Sequence, residues 1–487
     1  MLTLRAVSSY LSAPFASKSL RSMAAESHLS KRLLFGEQVF EPEKLSVYES
    51  THSIPPAGEI LPKPHYIDFN TRALACAAAD AISSNLPPRL SWFDWGGYNS
   101  VFLLTFNDGT EVIARIPYSR ARIPSQSGVP PKMSSVVATM TFARYYCGIP
   151  CPRVLAWNSS GDNPVGAPYI LMEKAEGEYP YARWGTVSED RRLALFDQLA
   201  KYQAQYARPL PFSQIGSIYF ASPHLAEQRN IDDLDLGDPA LYRVGPLAKG
   251  PGRLNHLAGL SSPSSSVREL WRDYVSSERA AAIAKWGSCR TTVIDVEEDQ
   301  PDLDSEDEHT MGELLDAAEA IESMIATCPL PTDERLLAPC LVMNDYACRN
   351  VLSDPDSMQI TSFIDWDEVA LLPFFLCTRF PEEIADCPGA PLEWRQRHGA
   401  AYGCADFQGS VDPEDDYYHM HMTYQKQRNY YKERLRAYDG RFNAELMRMR
   451  GDLLYIHYVV SHGWGRWMSP SVVNWMKERV NEIDTAS

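Results

Sequence analysis

The 487-residue sequence predicts a two-lobed α+β protein, with a small antiparallel sheet early in the chain and a larger helical body after it. Three features point there. Residues 91–117, SWFDWGGYNSVFLLTFNDGTEVIARIP, read as strands separated by glycine-bearing turns. Beyond Tyr181 the pattern changes to long helical segments. A polar loop and hairpin at 341–370, LVMNDYACRNVLSDPDSMQITSFIDWDEVA, sets Asp345, Asn350 and Asp365 among Val, Leu, Ile and Phe.

The chain begins with MLTLRAVSSYLSAPFASKSLRSMAAES, which carries Arg5, Lys18 and Arg21, much Ser and Ala, and no acid before Glu26. Its apolar residues are scattered rather than gathered in a block, so a secretory signal is disfavoured. A basic, Ser-rich, acid-free start is the pattern of a mitochondrial transit peptide, expected over residues 1–27. The plain alternative is a disordered tail and a cytoplasmic location.

Residues 28–90 form an extension with a helix expected from Ile67 to Ser84, and the sheet lobe spans 91–178. Within it, Asn107-Asp108-Gly109 between two apolar runs is a hairpin signal. A helix from Ser134 to Tyr146 follows, then the strand-like PRVLAW and APYILMEKAEG. Residues 179–487 form the helical lobe, with helices such as Glu189–Ala207 and Val267–Ala284. The acidic run Asp295–Glu308 has no apolar periodicity and reads as a solvated loop. The tail, Asp415–Glu482, is mostly helical, and its Tyr, Trp and Met residues read as packing.

Composition excludes some classes of function. There are 63 Asp and Glu against 46 Lys and Arg, a net charge of −17, which argues against a nucleic-acid partner. The ten cysteines lack metal-finger spacing; Cys147 and Cys151 are the nearest pair, and reduced, buried thiols are expected. The longest apolar run, Val369–Cys377, contains Pro373 and is too short to span a bilayer.

The 341–370 stretch explains itself mechanically. Val351-Leu352 and Ile360–Ile364 form two short strands joined by SDPDSMQ. Such a hairpin brings its ends together, so Asp345, Asn350 and Asp365 converge although twenty positions separate the aspartates. Convergent oxygen ligands suit Mg²⁺, which keeps waters and takes its remaining ligands from phosphates. The other carboxylate is then free to orient or deprotonate an attacking hydroxyl, the layout phosphoryl transfer requires.

The D-x4-N of Asp345 and Asn350, followed by Ile364-Asp365-Trp366, resembles the catalytic loop and metal motif of the aminoglycoside phosphotransferase and choline-kinase-like family, which shares the protein-kinase fold. GGYNSVFLLTFNDGTEVIARIP is similar to that family's nucleotide loop and following strands, and IPCPRVLAW and NPVGAPYILMEKAEG to the strands that lead to its hinge. Order and spacing agree over about Ser91 to Phe375. Within that family the sequence resembles in particular a fungal subgroup, the altered-inheritance-of-mitochondria proteins, which carry a mitochondrial leader. The resemblance implies ATP and Mg²⁺ as cofactors and a small-molecule phosphate acceptor. It implies Asp345 as catalytic base and Asn350 and Asp365 as metal ligands. Gly96, Gly97, Asn99 and Ser100 would bring backbone amides to the phosphates, Arg115 would take the place of the phosphate-pairing lysine, and Glu173, Lys174 and Ala175 would form the adenine-binding hinge.

Three positions depart from the family pattern. Met343 stands where a histidine is usual, and Arg115 replaces lysine while keeping a charge that can pair with phosphate bidentately. Val136 stands where relatives tend to carry an acid, so Arg115 is expected to lose its ion-pair partner unless another carboxylate serves. A catalytically silent relative with a binding role is therefore the rival to an active kinase. A metal-dependent hydrolase would need further His and carboxylate ligands. Plain readings are preferred elsewhere: Asp367 and Glu368 as helix-start acids, His419 and His421 as a solvated face, and Cys348 as a packed thiol. A D-x4-N or a Gly96-Gly97 turn in isolation would mean little, because such residues are common in turns.

Overall fold

The computed structural model describes residues 45–48, 66–95, 98–118, 132–222, 235–248, 262–288, 311–367, 369–385, 424–461, 463, 467 and 469–486. The expected transit peptide, Gly96 and Gly97, the acidic run Asp295–Glu308, Glu368, and His419 with His421 lie outside the described residues.

The first elements are β1 (Leu45–Tyr48), β2 (Tyr66–Phe69) and α1 (Thr71–Ala81). The helix expected from Ile67 starts four residues later. Residues 66–69 pair antiparallel with β1, and the Asn70 side chain accepts from the Ala73 amide at 3.0 Å, capping the helix there. Next come β3 (Arg89–Trp95), β4 (Asn99–Thr105), β5 (Glu111–Pro117), α2 (Lys132–Tyr145), β6 (Val154–Asn158) and β7 (Tyr169–Glu173). Their five strands form one antiparallel sheet in the order β3-β4-β5-β7-β6. The β4–β5 turn is closed as its sequence requires: the Phe106 amide donates to the Thr110 carbonyl at 2.9 Å, and Gly109 has φ +87°.

Burial alternates along β4 and β5, so each strand has one inward and one outward face. Phe102, Leu104, Val112, Ala114 and Ile116 join Leu74, Ala78 and Phe69 in one hydrophobic core, with the Phe69 and Phe102 rings edge to face at 5.1 Å. The opposite face, bearing Asn99, Val101, Ile113 and Arg115, is partly exposed.

The larger body contains α3 (Glu189–Tyr206), β8 (Ser217–Phe220), β9 (Tyr242–Gly245), α4 (Val267–Ser288) and α5 (Met311–Thr327). β10 (Pro339–Met343), β11 (Val351–Ser353), β12 (Ile360–Phe363) and β13 (Val369–Pro373) follow, then α6 (Gln425–Tyr438), α7 (Ala444–Ser461) and α8 (Pro470–Ala486). A second core, holding Phe196, Trp271, Tyr431, Trp467 and Trp475, binds these helices together. Among the described tail aromatics, Tyr431, Phe442, Tyr455, Tyr458, Trp467 and Trp475 are buried in packing, whereas Tyr438 is exposed.

Two antiparallel pairs inside this body present the loop of interest. β10 pairs with β13 along their full lengths, and β11 pairs with β12. The 344–350 turn therefore leaves one buried ladder and enters another, which holds both ends of the loop. The cysteines among the described residues are free, and burial pushes the thiols of Cys147 and Cys151 up to about 11 and about 12.

Candidate functional site

The acidic loop is built on its own hydrogen bonds. Asn350 is buried, and its amide nitrogen donates to the Asp345 carbonyl at 2.9 Å and to Asp345 Oδ2 at 2.8 Å. The amide is thereby oriented, and its Oδ1 is left for another partner. The Asn350 carbonyl accepts from the Ile364 amide at 2.8 Å, which brings the residue before Asp365 to the mouth of the β11–β12 hairpin. The three residues expected to converge thus come together.

Asp365 has φ +61°, a left-handed conformation that Asp tolerates better than most residues. Its side chain is 48% exposed, yet it lies in a cleft crowded with acids. Desolvation, then Asp367, and then Asp345 hold its carboxyl above the usual carboxylate range, against the pull of Arg115 and Lys132. A half-open carboxylate raised by desolvation and by neighbouring acids, beside a fixed amide oxygen, fits a hard divalent cation completed by water and phosphate. Among the described residues, no three His, Cys, Asp or Glu side chains gather as a metal site, so such an ion would depend on Asn350, Asp365 and its substrate's oxygens.

The sheet supplies the opposite wall. In the β4–β5 register Val101 faces Arg115, and Asn99, two residues back on the same face, faces Pro117. This places Asn99 and Arg115 side by side above the loop. Arg115 Nη2 donates to Asp367 Oδ2 and lies 3.6 Å from Asp365 Oδ1, and Asn99 Nδ2 donates to Asp367 Oδ2 at 3.2 Å. Desolvation pushes the Asp367 carboxyl up, but Arg115, Lys132 and Asn99 together outweigh it and hold it below the usual carboxylate range.

One expectation left open from the sequence is answered here, and one is corrected. Arg115 is paired, and its partner lies after β12 rather than on α2. Asp367 is not a helix-start acid: it occupies the turn between β12 and β13. Val136 is buried among core residues of α2, and Met343 is buried at the end of β10. Ser100 is also buried, so its side chain faces the core and only its backbone lies near the cleft. Cys348 is fully buried, and burial and then Glu383 push its thiol well up, as befits a packed residue.

Nothing in the sequence spacing singles out Arg349. Its guanidinium donates to Asp345 Oδ1 with one arm and to Glu382 Oε2 with the other. Asp345 thus receives a donor on each carboxylate oxygen. Lys132, at the start of α2, is a further cation facing Asp365 and Asp367. Its sequence signal is only that it opens a helix otherwise free of charge until Arg144.

The expected hinge lies at the end of β7. Arg153 Nε donates to Glu173 Oε1 at 2.7 Å, and Lys174 Nζ donates to Glu111 Oε2 of β5 at 2.5 Å. Just beyond, the chain joins the loop's own hairpin. Glu178 and Ser353 exchange backbone hydrogen bonds of 2.8 and 2.9 Å, and Thr361 Oγ1 donates to the Glu176 carbonyl at 2.6 Å. Gly177 permits the approach, because a Cβ there would meet Thr361 Oγ1 at 2.6 Å and the Ser353 carbonyl oxygen at 2.8 Å.

A five-stranded antiparallel sheet, one helix inserted after β5, a short crossing segment and a largely helical body carrying loop, hairpin and acid pair define a two-lobed, protein-kinase-like α+β fold. The chain is similar to fungal proteins of two names. A subtelomeric hrmA-associated cluster protein of Aspergillus fumigatus is 28% identical over 322 residues, 59% of this chain and 58% of that protein. Altered inheritance of mitochondria protein 9 of Clavispora lusitaniae is 22% identical over 306 residues, 60% of this chain and 49% of that protein. The protein of the same name from Candida tropicalis is 32% identical over 131 residues, 26% of this chain and 20% of that protein. The chain thus matches about half the length of the first two relatives. The mitochondrial designation of the second name agrees with the location expected from the basic, acid-free N-terminus.

Among solved structures, a Thermobifida fusca protein assigned as a fructosamine-3-kinase aligns over 84% of this chain and 99% of its own at 14% identity, with a TM-score of 0.40. An assigned aminoglycoside phosphotransferase of Ralstonia eutropha aligns over 82% and 98% at 13% identity, with a TM-score of 0.36. At these scores the fold description stands on the chain's own topology. No protein-family model matches the chain. Among the described residues no helix is long and apolar enough to cross a membrane.

Proposed function

We propose that this chain is an ATP- and Mg²⁺-dependent phosphotransferase acting on a small hydroxylated or amino metabolite in mitochondria. The observation that carries the reading is the convergence of Asp345, Asn350 and Asp365 beneath Arg115, fixed by the 2.8 Å bonds from Asn350 to Asp345 and from Ile364 to Asn350. Asp345, hydrogen-bonded on both carboxylate oxygens, is held to receive and orient an acceptor hydroxyl or amine. Asn350 Oδ1 and Asp365 are the groups that would hold Mg²⁺, which when bound neutralises phosphate charge. Arg115 and Lys132 add positive charge on the sheet side, where a triphosphate needs it. Glu173, Lys174 and Ala175 would present backbone groups to adenine, and the backbone of Asn99 and Ser100 would face the phosphates together with the expected Gly96 and Gly97, which lie outside the described residues.

The engagement of Asp345 by Arg349 favours a second reading, a binding protein of kinase-like fold without turnover. Nucleotide-binding calorimetry with and without Mg²⁺, followed by a metabolite phosphorylation screen with purified protein, separates the two. Mg²⁺-dependent ATP binding with phosphorylation of a screened metabolite supports the kinase. Binding without turnover of any metabolite supports the second reading in its nucleotide-binding form, and absence of ATP binding removes the kinase and leaves a partner-binding role in mitochondrial maintenance.

A further inference from the structure

The α2 sequence, KMSSVVATMTFARY, contains no acid, so that helix cannot supply a carboxylate to Arg115. A buried guanidinium still needs one, because an unpaired charge in a sheltered site is costly. Asp367 meets the need from the other side of the cleft. Its carboxylate takes Arg115 Nη2 and, at 3.2 Å, Asn99 Nδ2, neighbours on one face of the sheet. The pair is sheltered, with side-chain exposures of 14% for Arg115 and 17% for Asp367, whereas Asp365 is 48% exposed. Asp367 is therefore committed to the sheet, while Asp365, two residues earlier, keeps its carboxylate open to the cleft.

We propose that Asp367 is the positioning carboxylate for Arg115, doing from the turn after β12 what an acid on α2 would otherwise do. The inference rests on the nucleotide-binding reading above. The two acids then have separate roles, Asp365 facing the metal and Asp367 fixing the cation meant for phosphate. The same contact ties the sheet to the segment that bears Asp365, so the two walls of the cleft are set against each other by the Arg115–Asp367 pair, the Asn99 amide and the longer 3.6 Å approach of Arg115 to Asp365.

The test has two readouts. In calorimetry with Mg·ATP, Asp367→Asn should weaken nucleotide binding about tenfold, the order expected when a sheltered charged hydrogen bond is left half made, while Asp367→Glu stays nearer the parent. In thermal unfolding without nucleotide, the Tm losses of Arg115→Gln and Asp367→Asn should fail to add in the double variant, as they do for residues in contact. If Asp367→Asn does not fold, Asn99→Ala, which removes one donor and keeps both charges, should weaken ATP binding a few-fold instead. Additive Tm losses with unchanged ATP affinity overturn the proposal. So does an Asp367→Asn protein that binds ATP like the parent but loses the Mg²⁺ effect, since Asp367 would then be a metal ligand. If the parent binds no ATP, the proposed function fails, and the thermal cycle alone decides whether Asp367 is the partner of Arg115.

Discussion

Asn350 donates twice to Asp345, once to its backbone carbonyl at 2.9 Å and once to its carboxylate at 2.8 Å. One side chain thereby fixes both the course of the loop and the direction of its acid. Asp345→Asn would set an amide against the Asn350 amide and the Arg349 guanidinium, keeping shape but removing charge. Turnover should fall by roughly 10²-fold or more, with ATP affinity changed only a few-fold. Steady-state kinetics on an identified acceptor, beside calorimetry, checks this; an equal loss in both would place Asp345 at the nucleotide.

Asp365→Ala should abolish the Mg²⁺-dependent tightening of ATP, because Asn350 offers only a neutral oxygen. Asp365→Asn is the better control, since Asn tolerates the left-handed backbone at φ +61° that Ala resists. The pH dependence has a definite sign. Metal binding needs the ionised carboxylate, and desolvation and the nearby acids hold that carboxyl above its ordinary range. Mg²⁺ affinity should therefore rise with pH through that raised value and weaken on acidification before an isolated Asp would protonate. A titration of ATP affinity against pH at fixed Mg²⁺ reads it directly.

Gly177→Ala should cost about 3 kcal/mol or more, combining a strained backbone at φ +112° with a clash against the Ser353 carbonyl, which cannot rotate aside. Gly109→Ala provides the scale. Its φ of +87° is also unfavourable, but nothing lies within 4 Å, so only about 1 kcal/mol is at stake. Thermal unfolding of the two variants side by side should show a much larger loss for Gly177.

Val136→Glu, which from sequence would supply Arg115 with a missing partner, should instead destabilise by something on the order of 3 kcal/mol. The position is 5% exposed within the core, and Arg115 already has Asp367. Chemical denaturation and an activity assay together decide: a stable variant with raised activity would mean that Arg115 is not held as described.

These outcomes trace what the sequence can reveal. The β4–β5 hairpin is legible because Asn107-Asp108-Gly109 forces a turn and both flanking runs alternate. Helix α3 is legible from its period and its Ser188 cap. The β10–β13 pairing is not, since PCLVM and VALLP are buried almost throughout and show no period of two. Convergence of Asp345, Asn350 and Asp365 follows from the turn between two apolar runs. The role of Asp367 depends on which face of a distant sheet lies above it, a relationship that spacing along the chain does not encode. Arg349 escapes notice for the same reason, its second partner Glu382 lying on a separate short turn of helix.

The backbone stitch between Glu178 and Ser353 also decides how the crossing segment is shared between sheet and hairpin. Lys174 rides with the sheet through Glu111, and Glu176 rides with the β11–β12 hairpin through Thr361. Between them stands Ala175, a single small residue. The crossing is not a lone pivot, because the Phe363 amide donates to the Pro150 carbonyl at 2.8 Å and the Phe142 ring of α2 packs on Tyr242 at 5.1 Å. With Arg115 already joined to Asp367, a nucleotide entering the cleft would meet walls that are braced on one side and latched on the other, and would have to work against the latch.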